Sequence, residues 1–137
     1  MSSGQSGGLN LNLYESPLLR AVTGPILRPG GFDLTDRSLA RCGLAPGTPV
    51  LDIGCGTGAG VDHLRKRHGL KAVGVDLSTV LLREGALTYP GSPLAQGRAE
   101  QLPLPDGAFD AVVCECMLSL SPDPHAVFMP AFRTMGK

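Results

Sequence analysis

The chain has 137 residues, 12 basic and 12 acidic side chains, a formal net charge of zero, and 42% hydrophobic residues. One domain of this length buries a sizeable core, and the balance of apolar and charged residues is that of an ordinary globular protein. A neutral chain with four Phe, two Tyr and no Trp lacks the basic excess and stacking aromatics that nucleic-acid binding uses, so nucleic acid is not an expected partner.

The first twelve residues, MSSGQSGGLNLN, are Gly-, Ser- and Asn-rich and read as a flexible start without the basic and apolar regions of a secretory leader. No stretch is long and apolar enough to span a bilayer, so no membrane partner is expected and a cytoplasmic setting is. Residues 13–46 read as an N-terminal helical, lid-like segment. A short helix is expected around Pro17–Val22, then a Pro/Gly-rich loop. A second helix, capped by Thr35 or Asp36 and ended by Gly43, turns Leu34, Leu39 and Ala40 inward.

From residue 47 onward the pattern alternates. Val50–Ile53 is a short apolar run of buried-strand type, followed by a glycine cluster and a helix with Val61, Leu64 and His68 on one face. Gly69 closes that helix. Ala72–Val75 is a second buried strand ending in Asp76, Ser78 caps a helix to about Ala86, and a weak third strand lies near Leu94–Gly97. Phe109–Cys114 reads as a fourth strand, and a last helix starts at Pro122-Asp123-Pro124 and runs toward Met135, with Pro130 expected to kink or break it. Strands apolar on both faces alternating with helices predict an α/β fold with an open, mainly parallel, Rossmann-like sheet.

The glycine cluster, Gly54-Cys55-Gly56-Thr57-Gly58-Ala59-Gly60, follows a strand and opens a helix. Glycines let backbone approach a ligand closely, and the helix start offers unpaired N–H groups. Asp76, about 20 residues on, stands where a carboxylate can accept both hydroxyls of an adenosine ribose. Two ligand classes fit. The spacing Gly54-x-Gly56-x-x-Ala59 formally satisfies the dinucleotide pattern of an NAD-dependent oxidoreductase. Asp52, two residues before the first glycine, speaks against a pyrophosphate and for a cationic ligand such as S-adenosylmethionine, which carries an ammonium and a sulfonium. A phosphate-binding P-loop is excluded, because no Gly-Lys-Ser/Thr follows the glycines.

Val50-Leu51-Asp52-Ile53-Gly54-Cys55-Gly56-Thr57-Gly58 closely resembles the first motif of class I S-adenosylmethionine-dependent methyltransferases. Val73-Gly74-Val75-Asp76-Leu77-Ser78 resembles their second-strand acidic motif. Ala99-Glu100-Gln101-Leu102-Pro103 and Phe109-Asp110-Ala111-Val112-Val113 resemble the third-loop and fourth-strand motifs. The resemblance runs from about Thr48 to Ser121 and points to the small-molecule branch that includes quinone-biosynthesis and arsenite methyltransferases. It implies S-adenosylmethionine as cofactor and a small-molecule methyl acceptor. It also implies that Gly54, Cys55, Gly56 and Gly58 line the methionine and ribose portion, with Asp52 facing the methionine ammonium. Asp76 would hold the ribose hydroxyls, Leu77 the adenine face, the Ala99 N–H an adenine nitrogen, and Cys114 the methionine region. Where the family usually has Asp before that Ala, this chain has Arg98. Arginine accepts no hydrogen bond, so adenine is held less tightly or Glu100 substitutes.

Methyl transfer from a sulfonium is an in-line displacement with a neutral leaving group, driven mainly by alignment, so no catalytic dyad is required and none is assigned. Glu115, Cys116 and His125 are candidates for the acceptor side, and Tyr14 for a lid that closes over the cofactor, each with a packing or solvated role as the alternative. His63 and His68 read as surface or packing residues. Cys42, Cys55, Cys114 and Cys116 read as free thiols. The Cys114-x-Cys116 pair lacks a partner pair at zinc spacing, so no metal site is expected.

The resemblance implies seven strands, of which the sequence shows about four. Phe132–Lys137 resembles the end of the helix before a fifth strand, where the sequence stops. That leaves the fourth strand as an apolar edge and three readings: a shortened chain, a natural fragment, or a chain that covers its edge by self-association into a homo-oligomer. Beside the methyltransferase reading stand two alternatives, a non-catalytic cofactor-binding fragment or partner subunit, and the nicotinamide-dependent oxidoreductase.

Overall fold

In the computed structural model, residues 31–115, 123 and 125–136 are described. The first thirty residues lie outside them, and with them the expected flexible start, the helix near Pro17–Val22 and Tyr14. Cys116 lies outside them too.

The described elements are α1 (Asp33–Cys42), β1 (Pro49–Ile53), α2 (Ala59–His68), β2 (Lys71–Asp76), α3 (Thr79–Thr88), β3 (Leu94–Gln96), β4 (Ala111–Val113) and α4 (His125–Thr134). The strands form one sheet in the order β3-β2-β1-β4. Every pairing is parallel, with Asp52 level with Gly74 on one side and with Val113 on the other. The alternation read in the sequence is therefore an open α/β sheet with all its strand C-termini at one rim, where ligands of such sheets bind.

The side chains of β1 split between two cores, as the two-residue period of a strand demands. Leu51 and Ile53 pack with Val75, Ala99, Leu102, Phe109, Val127 and Ala131. Val50 packs on the other face with Val61, Leu64, Leu70 and Ala72. A strand buried on both faces reads as a continuous apolar run, and Asp52, 7% exposed, is the acidic residue within that run.

Several local expectations change. Helix α1 begins at Asp33, and neither Thr35 nor Asp36 caps it, because no side chain bonds its first N–H groups. Both side chains are used elsewhere: Thr35 Oγ1 donates to the Glu115 carboxylate at 2.9 Å, and Asp36 accepts from two histidines. The inward face is accordingly that of Thr35 and Leu39, while Leu34 is 62% exposed and Ala40 is exposed. Strand β4 is shorter than the expected Phe109–Cys114, because the Phe109 N–H is taken by the Thr134 carbonyl of α4. Helix α4 starts at His125 and runs through Pro130 without a break, carried by the burial of Val127, Ala131 and Thr134 on the sheet. The Arg133 guanidinium ties the same helix to the loop beyond β3, donating to the carbonyls of Leu104 and Leu102 and pairing with Asp106. No helix among the described residues is long and apolar enough to cross a membrane.

Candidate cofactor crevice

The glycine loop is built by backbone geometry. Gly54, Gly56 and Gly58 all have positive φ, and Gly54 N–H and Cys55 N–H both donate to the Val75 carbonyl, at 2.8 and 3.1 Å. The loop is thus stitched to the end of β2 as it leaves β1. At Gly56, φ is +60° and a Cβ would meet nothing within 4 Å, so this point of the loop faces open space at the rim. The floor is tight by contrast: a Cβ on Gly85 of α3 would run into the Thr57 carbonyl oxygen. Helix α3 packs directly on the loop only because that position has no side chain.

Asp76 is the hinge between loop and strand. Its Oδ2 accepts from Gly56 N–H at 2.8 Å and its Oδ1 accepts from Ser78 N–H at 2.9 Å. Each oxygen has a further lone pair available at the rim. Leu77 follows with its side chain 43% exposed, an apolar surface beside a fixed carboxylate. Ser78 caps α3 by accepting from Leu81 N–H at 3.1 Å. The third element of the rim is the turn after β3. Gly97 N–H donates to the Asp76 carbonyl, Arg98 and Gln101 bridge each other, Ala99 is buried, and Glu100 is half-buried. Arg98 is exposed.

The two rim cysteines are held neutral. Burial first, then the charges of Asp52 and Asp76, push the Cys55 thiol far above its ordinary range. Its sulfur packs toward Gly74, where any Cβ would strike it at 2.6 Å, so Cys55 turns its side chain into the sheet and presents backbone to the crevice. Cys114 packs on the core at the end of β4, and burial, with the Asp52 charge second, pushes its thiol to about 11. Cys42, Cys55 and Cys114 are free thiols.

Asp52, the glycines, Asp76, Leu77, Ala99, Glu100 and Cys114 therefore come from four strand ends that share one rim. Glu115 also lies beyond β4, but its carboxylate engages Thr35. His125 starts α4, with its side chain outside the described residues. His63 and His68 are brought together with Asp36 on the α1–α2 side of the fold. Spacing alone did not reveal that cluster, since Asp36 stands 27 and 32 residues before its partners.

Comparison with known proteins now decides the family. A methyltransferase-domain family matches residues 51–136. The chain belongs to the class I S-adenosylmethionine-dependent methyltransferases. It is 32% identical over 117 residues to a ubiquinone biosynthesis O-methyltransferase of Psychrobacter cryohalolentis, covering 80% of this chain and 45% of that protein. It is 39% identical over 92 residues to a demethylmenaquinone methyltransferase of Beutenbergia cavernae, covering 66% of this chain and 38% of the relative. The solved structure of Haemonchus contortus phosphoethanolamine N-methyltransferase 2 in complex with S-adenosyl-L-methionine superposes with a TM-score of 0.71 at 26% identity, over 82% of this chain and 27% of that one. The chain spans less than half the length of these curated relatives. The nicotinamide reading that the glycine spacing allowed is not favoured by any of these matches.

Proposed function

We propose that this methyltransferase chain binds S-adenosylmethionine in the rim crevice and transfers its methyl group to a small-molecule acceptor. The observation that carries the reading is the pair of acids around an open glycine loop: Asp52 buried at the end of β1, and Asp76 fixed by two backbone N–H groups at the end of β2. A carboxylate held in this way is pre-set to accept from a ribose diol, and the exposed Leu77 beside it suits an adenine face. Asp52 supplies negative charge where a cationic amino acid would lie and where a pyrophosphate would be repelled. The bare Gly56 backbone lets such a ligand approach closely. Ala99 and Glu100 border the adenine end on this reading, and Cys114, neutral and half-buried, the methionine end.

The cofactor supplies an electrophilic methyl on a sulfonium, which leaves as a neutral thioether when a lone pair of the acceptor attacks. The chain's part is to bind, align and exclude water, which suffices for an in-line displacement. The relatives named above are O- and N-methyltransferases among others, so the accepting atom is left unassigned. A net charge of zero argues against a polyanionic partner, and free thiols fit a cytoplasmic setting.

Calorimetric titration with S-adenosylhomocysteine and, separately, NAD tests the cofactor. Tight NAD binding with no response to S-adenosylhomocysteine would overturn the reading. A screen for transfer of labelled methyl from S-adenosylmethionine to phenols, quinols and amines then tests turnover. Cofactor binding without turnover on any acceptor would favour the non-catalytic alternative.

A further inference from the structure

The Asp36, His63 and His68 side chains lie outside the crevice, and the methyltransferase reading makes no use of them. Asp36 projects from α1, whereas both histidines project from α2. One atom, Asp36 Oδ1, accepts from His63 Nε2 at 2.6 Å and from His68 Nε2 at 2.7 Å. The donor atoms of all three residues fall within 4.8 Å of one another. The rings are also held: Phe32 stacks on His63 at 4.0 Å and 8° between planes, and His68 meets His63 edge-on at 5.4 Å and 71°.

We propose that Asp36, His63 and His68 form a site for one divalent transition-metal ion of the zinc type, which clamps α1 to α2. Two imidazole nitrogens and one carboxylate oxygen are a donor set that suits zinc, cobalt or nickel, whereas magnesium and calcium prefer oxygen alone. Tetrahedral zinc with ligands at about 2.0–2.1 Å sets its donors roughly 3.3 Å apart. Each nitrogen reaches that spacing from Oδ1, now 2.6 and 2.7 Å away, by retreating well under 1 Å, and the two nitrogens already lie within 4.8 Å of each other. Three protein donors leave one position for water, and side-chain exposures of 18%, 25% and 37% leave the ion a way in. The site is separate from the crevice. His63 and His68 stand about 6 Å and about 13 Å along α2 from Ala59, where the helix leaves the glycine loop, at 1.5 Å per residue. Its effect is therefore on how firmly α1 is docked, and it stands or falls independently of the cofactor assignment.

The test uses the untagged full chain, stripped with a chelator and titrated with zinc chloride alone. The expected result is one equivalent bound and a melting temperature that rises with zinc concentration. His68→Gln and Asp36→Ala should each weaken binding by at least about tenfold, since even outer partners of metal ligands are worth that much. Cobalt binding to the unmutated chain gives a readout that needs no variant. Visible d–d bands without a thiolate-to-cobalt charge-transfer band are expected of nitrogen and oxygen ligands. Failure of the unmutated chain to bind zinc, a thiolate band in the cobalt spectrum, or undiminished binding by both folded variants would each overturn the proposal.

Discussion

Replacing Asp76 by Ala is the most direct test of the crevice. The side chain makes two hydrogen bonds, to Gly56 N–H and Ser78 N–H, and would add two more to a ribose diol. Hydrogen bonds to a charged group contribute about 1.5–3 kcal/mol each. Asp76 is half-buried, so water replaces part of what is lost, and the lower end applies. Even one such bond is worth about tenfold in affinity, at roughly 1.4 kcal/mol per decade. Asp76→Ala should therefore weaken S-adenosylhomocysteine binding at least about tenfold by calorimetry, with the circular dichroism spectrum retained. Part of that loss could come from a loosened Gly56 rather than from the missing ribose contact. Repeating the titration with an analogue lacking both ribose hydroxyls separates the two. If Asp76 holds the diol, the substitution should matter far less for the analogue. An unchanged dissociation constant, or an equal loss for both ligands, would refute the ribose assignment.

Gly85→Ala should lower the melting temperature. Ala is the better helix former by about 1 kcal/mol, but its Cβ runs into the Thr57 carbonyl, and overpacking of this kind typically costs about 1–3 kcal/mol; a raised melting temperature would contradict the close approach. Thr35→Val keeps the shape and removes the hydroxyl that donates to Glu115, and faster hydrogen exchange across residues 33–42 is expected, with unchanged exchange counting against the contact. At pH 8 the Cys114 thiol, at about 11 against an ordinary 9.0, should alkylate about 100-fold more slowly than an unperturbed thiol, because only the thiolate reacts. Peptide mapping that found Cys114 labelled as fast as a free thiol standard would refute it. Strand β4 pairs with β1 and has no second strand neighbour among the described residues. We propose that the 137-residue chain self-associates through this edge, and a monomer in sedimentation equilibrium at micromolar concentration would exclude it.

The frame of the fold was legible because it rests on local signals. Apolar runs at Val50–Ile53 and Ala72–Val75, glycines at the turns, and Ser78 as a cap each mark their own element, and all stand where expected. Strand order and the shared rim follow from the parallel alternation, which brings Asp52 and Asp76 to neighbouring strand ends. What escaped the sequence are the contacts between distant residues. Thr35 and Asp36 look like helix caps, because a short polar side chain before a helix normally bonds that helix's own N–H groups. In the structure both reach across to partners 80 and 27 residues away. No spacing rule links such pairs, and the cap position falls instead on Phe32, three residues before Thr35, without a side-chain cap bond. Gly85 was legible in principle, since an isolated glycine inside a helix carries a propensity cost that calls for a packing reason.

On the reading proposed above, with the rim beyond β4 facing the acceptor, the crevice and that rim are supported in different ways, and this bears on where specificity resides. On the cofactor side, the positive-φ loop is held by Asp76, by the Val75 carbonyl and by direct packing on Gly85, all from elements within the match to the family. A loop ordered before its ligand arrives does not spend binding energy on being ordered. The rim beyond β4 is supported from outside that frame. Glu115 is oriented by Thr35, and Thr35 belongs to a helix that precedes the region matched to the family. That helix is in turn held to α2 through Asp36 and the two histidines. Changes in α1 should thus move the acceptor side while leaving Asp52 and Asp76 in place. Substitutions at Thr35 are accordingly expected to alter which acceptors are methylated and how fast, with the affinity for S-adenosylhomocysteine held constant. A Thr35 variant that lost cofactor affinity in proportion to its rate would show instead that the two halves are one mechanical unit.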